Sequence, residues 1–207
     1  MMAHSEPHVT LQNICENAWY QLAAGAGDPL HPFHTAVLST VNAQGLPDAR
    51  TVVVRHVERN ARTISCHTDK RSPKASHLQA TPWASWVLYD PVERTQIRIA
   101  GPTHIDSPDS CEETERAWQQ TPPASRRAYL GPMPPSSVSA QPTSNLPEHL
   151  VDRVPTELES KPGRANFRRL VTVIHSLDWL KLRDHGNLRA RWQWDDHGNR
   201  NDQWLEP

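Results

Sequence analysis

The sequence predicts a mainly β (α+β) fold, an antiparallel β-barrel that is closed or nearly closed and has helices at its periphery. Three observations support this prediction: six or seven short segments rich in β-branched and other apolar residues, short turns between most of them, and a few capped or amphipathic helical segments around them. No internal repeat occurs at a fixed period, so neither a solenoid nor a propeller is expected.

Composition narrows the class of protein. The chain has 207 residues, and 22 Lys+Arg against 23 Asp+Glu give a formal net charge of -1. A single domain of this size buries a core without disulfide or metal support, and its charge favours neither nucleic acid nor an anionic membrane as a partner. Three cysteines without a CxxC pair fit a reducing cytoplasm, and the sequence shows neither a signal peptide nor an apolar run long enough to span a membrane.

We predict one domain over residues 1–207, with three distinct parts. Residues 1–30 form an N-terminal helical segment, 131–165 an irregular loop, and 166–207 the C-terminal strands. The loop is predicted because the 19 prolines of the chain concentrate between Pro122 and Pro162, where helical and strand periodicity are both lost.

The first half of the chain contains one amphipathic helix and a meander. Thr10 can cap the helix, which carries its apolar residues on one stripe and ends at Gly25 and Gly27. Three strands joined by short turns follow and make an antiparallel meander. Their predicted bounds are 35–41, 49–57 and 63–68.

The second half alternates helices, a hairpin and C-terminal strands. Helices are predicted from Ser72 to about Ala80, from Ser107-Pro108 to near Thr121, over 124–130, and weakly over 149–153. Strands are predicted over 83–89, 96–104, 167–181 and 188–194, the last with apolar and charged residues alternating between its faces.

The stretch from Asp48 to Gly101 has the strongest chemical pattern. In "DARTVVVRHV", a β-branched strand has Arg50 and Arg55 at its ends. In "SCHTDKRSPKASHL", a helix begins with Ser72 as N-cap and Pro73 in its first turn, and Lys74 follows. A helix N-terminus with a lysine forms an anion site of phosphate size, although a plain helix cap beside a solvated lysine would give the same pattern.

This segment resembles the flavin-binding part of the pyridoxamine 5′-phosphate oxidase family, small proteins with an FMN-binding split β-barrel. The resemblance runs through "ARTVVVR", "CHTDKRSPK" and "ERTQIRIAG", and it resumes in "DWLKL", "LRARWQW" and the terminal "WLEP". It covers most of the chain from about His34 and implies an antiparallel split β-barrel of the FMN-binding type.

The resemblance also implies a homodimer with FMN at its interface. By matching positions, Arg50 is the cofactor-binding arginine that opens the strand motif, and the backbone of Thr51, Val52 and Val53 would lie beside the isoalloxazine ring. The phosphate would be held by three further residues, Thr68, Ser72 and Lys74.

More distant positions complete the implied cofactor site. Gln96 would hydrogen-bond the polar edge of the ring, and Trp179 and Arg191 would approach it from the partner subunit. Each has a plainer alternative: a solvent-facing strand residue for Gln96, core packing for Trp179, and a solvated strand face for Arg191.

Two departures from the family bear on FMN binding. Pro73 stands where family oxidases usually have an arginine, so the phosphate loses one donor while the helix start becomes stiffer. The Gln-Ser pair that reaches the ring in the family is replaced around Pro134-Pro135, which leaves Ser136 as its remaining candidate.

The substrate side departs further. Arg55 keeps the charge of the family's strand lysine, but Trp118 and Pro122 or a neighbour replace other parts of the substrate-phosphate clamp. Asn187 and Arg189 stand where the family has an Arg-x-His pair that covers the ring. Arg55 and Arg189 are the candidates for binding an anionic substrate.

The resulting hypothesis is an FMN-dependent oxidoreductase with an altered substrate site. Three alternatives stay open: a genuine pyridoxamine 5′-phosphate oxidase, a non-catalytic flavin- or haem-binding protein, and a barrel that has lost its ligand.

Two weaker patterns are not expected to be functional. His31 and His34 have a metal-like spacing without an evident third ligand, so we predict no metal site. Cys66 and His67 are adjacent in a strand, and alternation would point them to opposite faces, which argues against a Cys-His nucleophilic pair.

Overall fold

The part of the chain that the computed structural model describes, residues 9–106 and 112–207, contains ten strands, all paired antiparallel. The mainly β prediction is therefore confirmed, with more strands than the six or seven expected. The strands are β1 (Thr35–Val41), β2 (Pro47–Val53), β3 (His56–Glu58), β4 (Thr63–Asp69), β5 (Trp83–Asp90), β6 (Thr95–Ile105), β7 (Phe167–Val173), β8 (Ser176–Lys181), β9 (Leu188–Trp194) and β10 (Arg200–Leu205).

The sheet branches at β6 and does not close. One path runs β10-β9-β8-β6-β5-β1-β2, and a second runs from β6 through β7 and β4 to β3. The branch forms because β6 pairs with β8 along Thr95 to Ala100 and with β7 along Thr103 to Ile105. A fully closed barrel, one of the two forms expected from the sequence, is wrong, and β2 keeps one edge without a partner strand.

Two predicted strands are each divided into two. The strand expected over 49–57 breaks at Val54 and Arg55, whose amides turn to the carbonyls of His34 and Ser65, so β2 and β3 belong to different branches. The strand expected over 167–181 breaks at Ile174 and His175 for the same reason, because β7 pairs with β4 while β8 pairs with β6 and β9.

The C-terminal hairpin is partly as predicted. In β9, Ala190 and Trp192 are buried on one face while Arg189 and Arg191 lie on the other, which confirms the alternation. The sequence prediction missed β10, because four of its six residues are polar and the two apolar ones, Trp204 and Leu205, are adjacent and show no period of two.

Five helices surround the sheet within the described residues. The first helix and the helix after Ser72 agree with prediction, the third ends one residue before Thr121, and the expected start of this helix at Ser107-Pro108 lies outside the described residues. The bounds are α1 (Leu11–Gly27), α2 (Pro73–Ala80), α3 (Glu112–Gln120), α4 (Pro123–Arg126) and α5 (Glu157–Ser160).

Short 3₁₀ turns replace the weaker helical predictions. The segment 124–130 divides into α4 and a 3₁₀ turn at Arg127–Tyr129, and the run near 149–153 is a 3₁₀ turn at Glu148–Leu150. The predicted loop is irregular up to residue 156, but α5 and a 3₁₀ helix at Lys161–Ala165 then interrupt it. No described helix has both the length and the apolar character needed to cross a bilayer.

The core fills the space between the sheet branches and α1. Leu38, Trp86, Ile99 and Trp192 are fully or almost fully buried there, and α1 contributes Leu22 with other residues of its apolar stripe. The opposite face of the β10-to-β2 path stays exposed. The fold thus presents an open sheet face and a free strand edge next to each other.

Candidate functional site

A cavity of about 570 Å³ lies at the free edge of β2. Arg50, Thr51, Val52 and Val53 form its wall along the strand, and Lys74 reaches it from the first turn of α2. The remaining wall comes from α4, the 3₁₀ turn after it, and Ser144 and Leu146 of the long loop. The structure therefore brings together five of the residues predicted to contact FMN.

The edge position of β2 explains what this wall can do. Among the described residues, β2 is hydrogen-bonded to β1 on one side and to no strand on the other. In an antiparallel pair, alternate backbone groups point away from the partner, so the free edge offers N–H and C=O groups to a ligand. A planar heterocycle with polar atoms along one side can bind such an edge.

Lys74 is one of four lysine and arginine residues that line the cavity. It is half-buried, and burial lowers the pKa of its ammonium group. Its Nζ donates to the Ser72 hydroxyl over 3.2 Å, and within the described residues no carboxylate forms an ion pair with it. A partly desolvated cation without a counterion is a binding site for an anion.

Two hydroxyl groups stand beside Lys74. Ser72 occupies the N-cap of α2, as predicted, but its side chain does not cap the helix and donates instead to the backbone oxygen of Asp69 over 2.7 Å. The hydroxyls of Thr68 and Ser72 lie 3.1 Å apart, and both residues are buried. The three residues predicted for the phosphate therefore form one hydrogen-bonded group.

Arg50 is held rigidly at the other side. Its guanidinium donates to the Thr40 hydroxyl over 2.8 Å and pairs with Asp48. Thr40 in turn lies 3.0 Å from Nδ1 of His77 in α2. This network links the guanidinium through Thr40 to His77 in the last turn of α2, and Asp48 partly neutralises its charge.

A second group of predicted residues lies on the exposed sheet face. Gln96 of β6, Leu180 of β8 and Arg189 of β9 are neighbours in register across three strands, and Arg191 lies in the next row beside Asp178. Arg191 donates to Gln203 over 3.1 Å, while its Nε is buried without a partner. None of these side chains lines the cavity at β2 in the same protomer.

Two predicted residues are placed differently from either group, and Arg189 of the second group is already paired. Trp179 lies on the core face of β8 and lines another cavity beside α1, and Ser136 is exposed on the long loop with a positive φ of 69°. Arg189 is bound to Asp178 by two hydrogen bonds, at 2.9 and 3.2 Å, so much of its charge is already matched. Asp178 also accepts a hydrogen bond from Arg98, and despite its burial its pKa is lowered by these two guanidinium groups.

Arg55 differs from Arg189 because it is exposed and unpaired among the described residues. It lines the cavity at β2 and also an adjoining one. Of the two candidates for binding an anionic substrate, Arg55 alone has its charge directed to this cavity.

The sequence reasoning missed several residues that line the cavity. His67 follows Cys66 in β4 and faces the cavity, whereas Cys66 is fully buried in the core, which confirms that the two point to opposite faces. Alternation along β4 could have assigned His67 to the site. Ser125 and Tyr129 come from a segment distant in sequence, and no local pattern places that segment over β2.

Comparison with known proteins agrees with this geometry. Residues 16–107 match the sequence model of the FMN-binding domain of pyridoxamine 5′-phosphate oxidase. Pyridoxine/pyridoxamine 5′-phosphate oxidase 2 of Arabidopsis thaliana is 32% identical over 134 residues, which cover 61% of this chain and 68% of that protein. The chain belongs to the pyridoxamine 5′-phosphate oxidase family. A second member, from Ruegeria sp. (strain TM1040), is 27% identical over 61% of this chain and 68% of its own length.

Solved structures agree on the fold. A pyridoxamine 5′-phosphate oxidase-related, FMN binding protein from Nostoc punctiforme has a TM-score of 0.71 at 23% identity, covering 93% of this chain and 96% of its own. PhzG from Burkholderia lata, solved with tetrahydrophenazine-1-carboxylic acid, has a TM-score of 0.64 at 17% identity, with 100% and 98% covered. The predicted split barrel of the FMN-binding type is confirmed.

The residues present fit the cofactor of the pyridoxamine 5′-phosphate oxidase family. The matched range is an FMN-binding domain, and it contains β2, β4 and α2. Unpaired Lys74 with its two hydroxyl neighbours has the donors that a phosphate dianion requires, and the free edge of β2 suits a flavin ring. Pro73 occupies the first position of α2, so the arginine that many members carry there has no equivalent.

Proposed function

We propose that this protein is an FMN-dependent oxidoreductase that carries out two-electron redox chemistry on a small organic substrate. The observation that carries the proposal is the half-buried, unpaired Lys74 beside the free edge of β2 in a cavity of about 570 Å³. Thr68, Ser72, Lys74 and Arg50 would bind the phosphate end, and the backbone from Thr51 to Val53 would bind the ring.

Bound FMN would supply N5, which accepts or gives the hydride. The protein's part is to bind, orient and enclose. Rigid hydrogen bonds to Thr40 and Asp48 fix Arg50, and the segment from Ser125 to Tyr129 covers the cavity. Burial raises the pKa of Tyr129, which keeps its phenol neutral and able to donate a hydrogen bond. No side chain is assigned as a general acid or base.

We further propose a homodimer that buries the exposed sheet face. This face carries large apolar side chains that a solvated surface would not need: Val37 is 42% exposed, Trp83 45% and Tyr89 45%. In a face-to-face pair, a two-fold axis parallel to the strands would place the β2 end of one sheet against the β8–β9 end of the other. That arrangement would bring Gln96 and Arg191 of one protomer towards the cavity of its partner.

Trp179 and Ser136 are less direct members of this proposed site. For Trp179 to contact the partner's flavin, the end of the sheet that contains β8 would have to reach that flavin. For Ser136 to do so, the long loop would have to extend across the interface. Their family positions support the assignment, while their present contacts lie elsewhere.

The proposed compartment is the cytoplasm. Cys15 and Cys66 are both free and buried, so the fold uses them as thiols rather than as a disulfide. Burial raises the pKa of Cys66 to about 12, which keeps this thiol protonated and unreactive.

A genuine pyridoxamine 5′-phosphate oxidase is the second candidate, favoured by the names of the relatives. The positions that would clamp the substrate phosphate weigh against it. Trp118 is buried in α3 against Phe167 and under Arg126, and Pro122 has no N–H to donate. Release of hydrogen peroxide from pyridoxamine 5′-phosphate would favour this candidate.

The testing experiment is the visible absorption spectrum of the purified protein, followed by identification of the heat-released chromophore and by stopped-flow reduction with candidate donors. We expect the protein to release FMN on heating. In the intact protein, we expect the bound FMN to be reduced by a substrate and then reoxidised. A protein that does not bind added FMN would overturn the proposal. A bound flavin that neither organic donors nor nicotinamide cofactors reduce would indicate a non-catalytic flavin-binding protein.

A further inference from the structure

A second cavity, of about 440 Å³, adjoins the one at β2. The two share Arg55, His67 and Thr121, so an elongated ligand can extend from one into the other. The second cavity lies between α3 and the faces of β4 and β7 that point away from the core, and we call it the basic chamber.

Three guanidinium groups line the basic chamber: Arg55 at its junction with the cavity at β2 (the proposed flavin cavity), Arg116 on α3, and Arg169 on β7. Arg169 lies 3.3 Å from Asp106, and Glu113 is the one acidic residue in the described lining. Neither Arg55 nor Arg116 forms an ion pair with a described residue. The chamber therefore has a cationic excess, and a cleft concentrates that potential because its walls are poorly polarisable.

His67 lies within the field of these arginines. It is paired in register with Arg169, and its ring packs edge-on against Phe167. Burial and the charges of Arg55 and Arg169 lower the pKa of His67 to about 3. Burial is the larger cause of this shift and disfavours any unpaired charge, whereas the charges of Arg55 and Arg169 favour a negative group that they can pair with. The neutral ring can still exchange a hydrogen bond with a ligand.

Two of the three cations, Arg116 and Arg169, come from positions outside the family's phosphate clamp, whereas Arg55 stands where the clamp has its strand lysine. Trp118 and Pro122 cannot supply charge there, whereas Arg116 lies two residues before Trp118, on a different side of the same helix. Arg169 comes from a separate strand. The anion-binding charge is thus rebuilt from another helix face and from β7.

We propose that the basic chamber binds an anionic group of the substrate, a carboxylate or a phosphate monoester, through Arg55, Arg116 and Arg169. The reacting part of that substrate would lie in the adjoining flavin cavity, so the inference rests on the proposed FMN-dependent function. Arg116 and Arg169 are then specificity-determining residues.

The test is isothermal titration calorimetry of the FMN-loaded protein with three probes: benzoate, phenyl phosphate and the neutral benzamide. Arg116→Gln is the decisive variant because Arg116 is exposed on α3 and its loss leaves the core intact. Arg59→Gln is the matched control, since Arg59 is exposed and lines neither cavity. We expect Arg116→Gln to weaken binding of the preferred anion about tenfold or more, with benzamide unaffected and the control equal to wild type.

The outcomes separate this inference from the proposed function. Preference for benzoate or for phenyl phosphate identifies the group that the chamber takes. Equal binding of anions and benzamide, no measurable anion binding by the wild type, or equal affinities in wild type and Arg116→Gln would each overturn the anion site while FMN stays bound. A protein without FMN that still binds benzoate through Arg116 would instead contradict the proposed function.

Discussion

Lys74 combines partial burial with the lack of an ion-pair partner among the described residues. Leaving a cation so placed is unfavourable unless an anion completes the site. We expect Lys74→Ala to weaken FMN binding by about 1.5–3 kcal/mol, the range for hydrogen bonds to charged groups, which corresponds to roughly 10- to 150-fold in the dissociation constant. The dissociation constant is measured by titrating the apo-protein with FMN and following the quenching of flavin fluorescence.

Lys70→Ala is the control for this substitution, because Lys70 is exposed four residues away and does not line the flavin cavity. Its dissociation constant should equal that of the wild type. If Lys74→Ala also left FMN affinity unchanged, the phosphate would have to bind elsewhere.

His67 gives the FMN-free protein a dependence on pH. Its pKa is lowered to about 3 in the folded state, mainly by burial, whereas an unfolded histidine titrates near 6.5. Between these two values the unfolded state binds a proton that the folded state does not, so the free energy of unfolding falls as the pH falls through this window. Because asparagine does not titrate, the free energy of unfolding of His67→Asn should fall by about 1–3 kcal/mol less than that of the wild type when the pH is lowered to 4.

Urea unfolding of wild type and His67→Asn at pH 7 and pH 4 measures this contribution. We expect the free energies of unfolding of the two proteins to differ less at pH 4 than at pH 7, or even to change order. The reason is that only the wild type is destabilised by protonation of a histidine in its unfolded state. Parallel losses in both proteins would mean that His67 stays accessible to protons in the folded state.

At the scale of elements, Gly101 allows β6 to join two sheet branches. It lies between Ala100, the last residue paired with β8, and Thr103, the first paired with β7. A Cβ at Gly101 would lie 1.8 Å from the backbone oxygen of Val173, a distance that only movement of the strands can relieve. The split in the barrel therefore depends on the absence of a side chain at this position.

Gly101→Ala should lower the free energy of unfolding by at least about 1–3 kcal/mol, as overpacking does in other cores. Gly27→Ala is the matched control, because a Cβ at the end of α1 meets nothing within 4 Å and alanine suits a helix better. Chemical denaturation followed by tryptophan fluorescence compares the two. Equal stability of both variants would show that the strands move enough to accommodate a Cβ at Gly101, and that the split does not depend on this glycine.

At the scale of the whole molecule, the exposed sheet face is the proposed dimer interface, on which the complete site would depend. Gln96 and Arg191 lie there, away from the cavity of their own protomer. Val37→Arg would put a charge in the middle of this face and should convert the proposed dimer to a monomer with weaker FMN retention. Size-exclusion chromatography with light scattering gives the mass.

The control is Val92→Arg, because Val92 is 83% exposed in the turn between β5 and β6, away from the centre of the sheet face. Its mass and flavin content should match the wild type. A Val37→Arg protein that remains dimeric would place the interface on another surface.

The sequence by itself determined the parts of this protein whose signals are local. β-branched runs predicted most strands, and Ser72-Pro73 predicted the start of α2 to the residue. The same stretch, with its ordered motifs, predicted Arg50 and Lys74 for the cofactor site, and both line the cavity at β2. These features depend on propensities and caps, which a few neighbouring residues decide.

The tertiary structure alone decided how those parts combine. Strand breaks at Val54 and Ile174 arise because neighbouring segments pair with different branches, and β10 forms because β9 offers it an edge. Likewise, the cavity wall around Ser125 and the grouping of Arg55 with Arg169 depend on strand pairing between residues far apart in the chain. Such contacts are set by packing over the whole fold, so no local pattern encodes them.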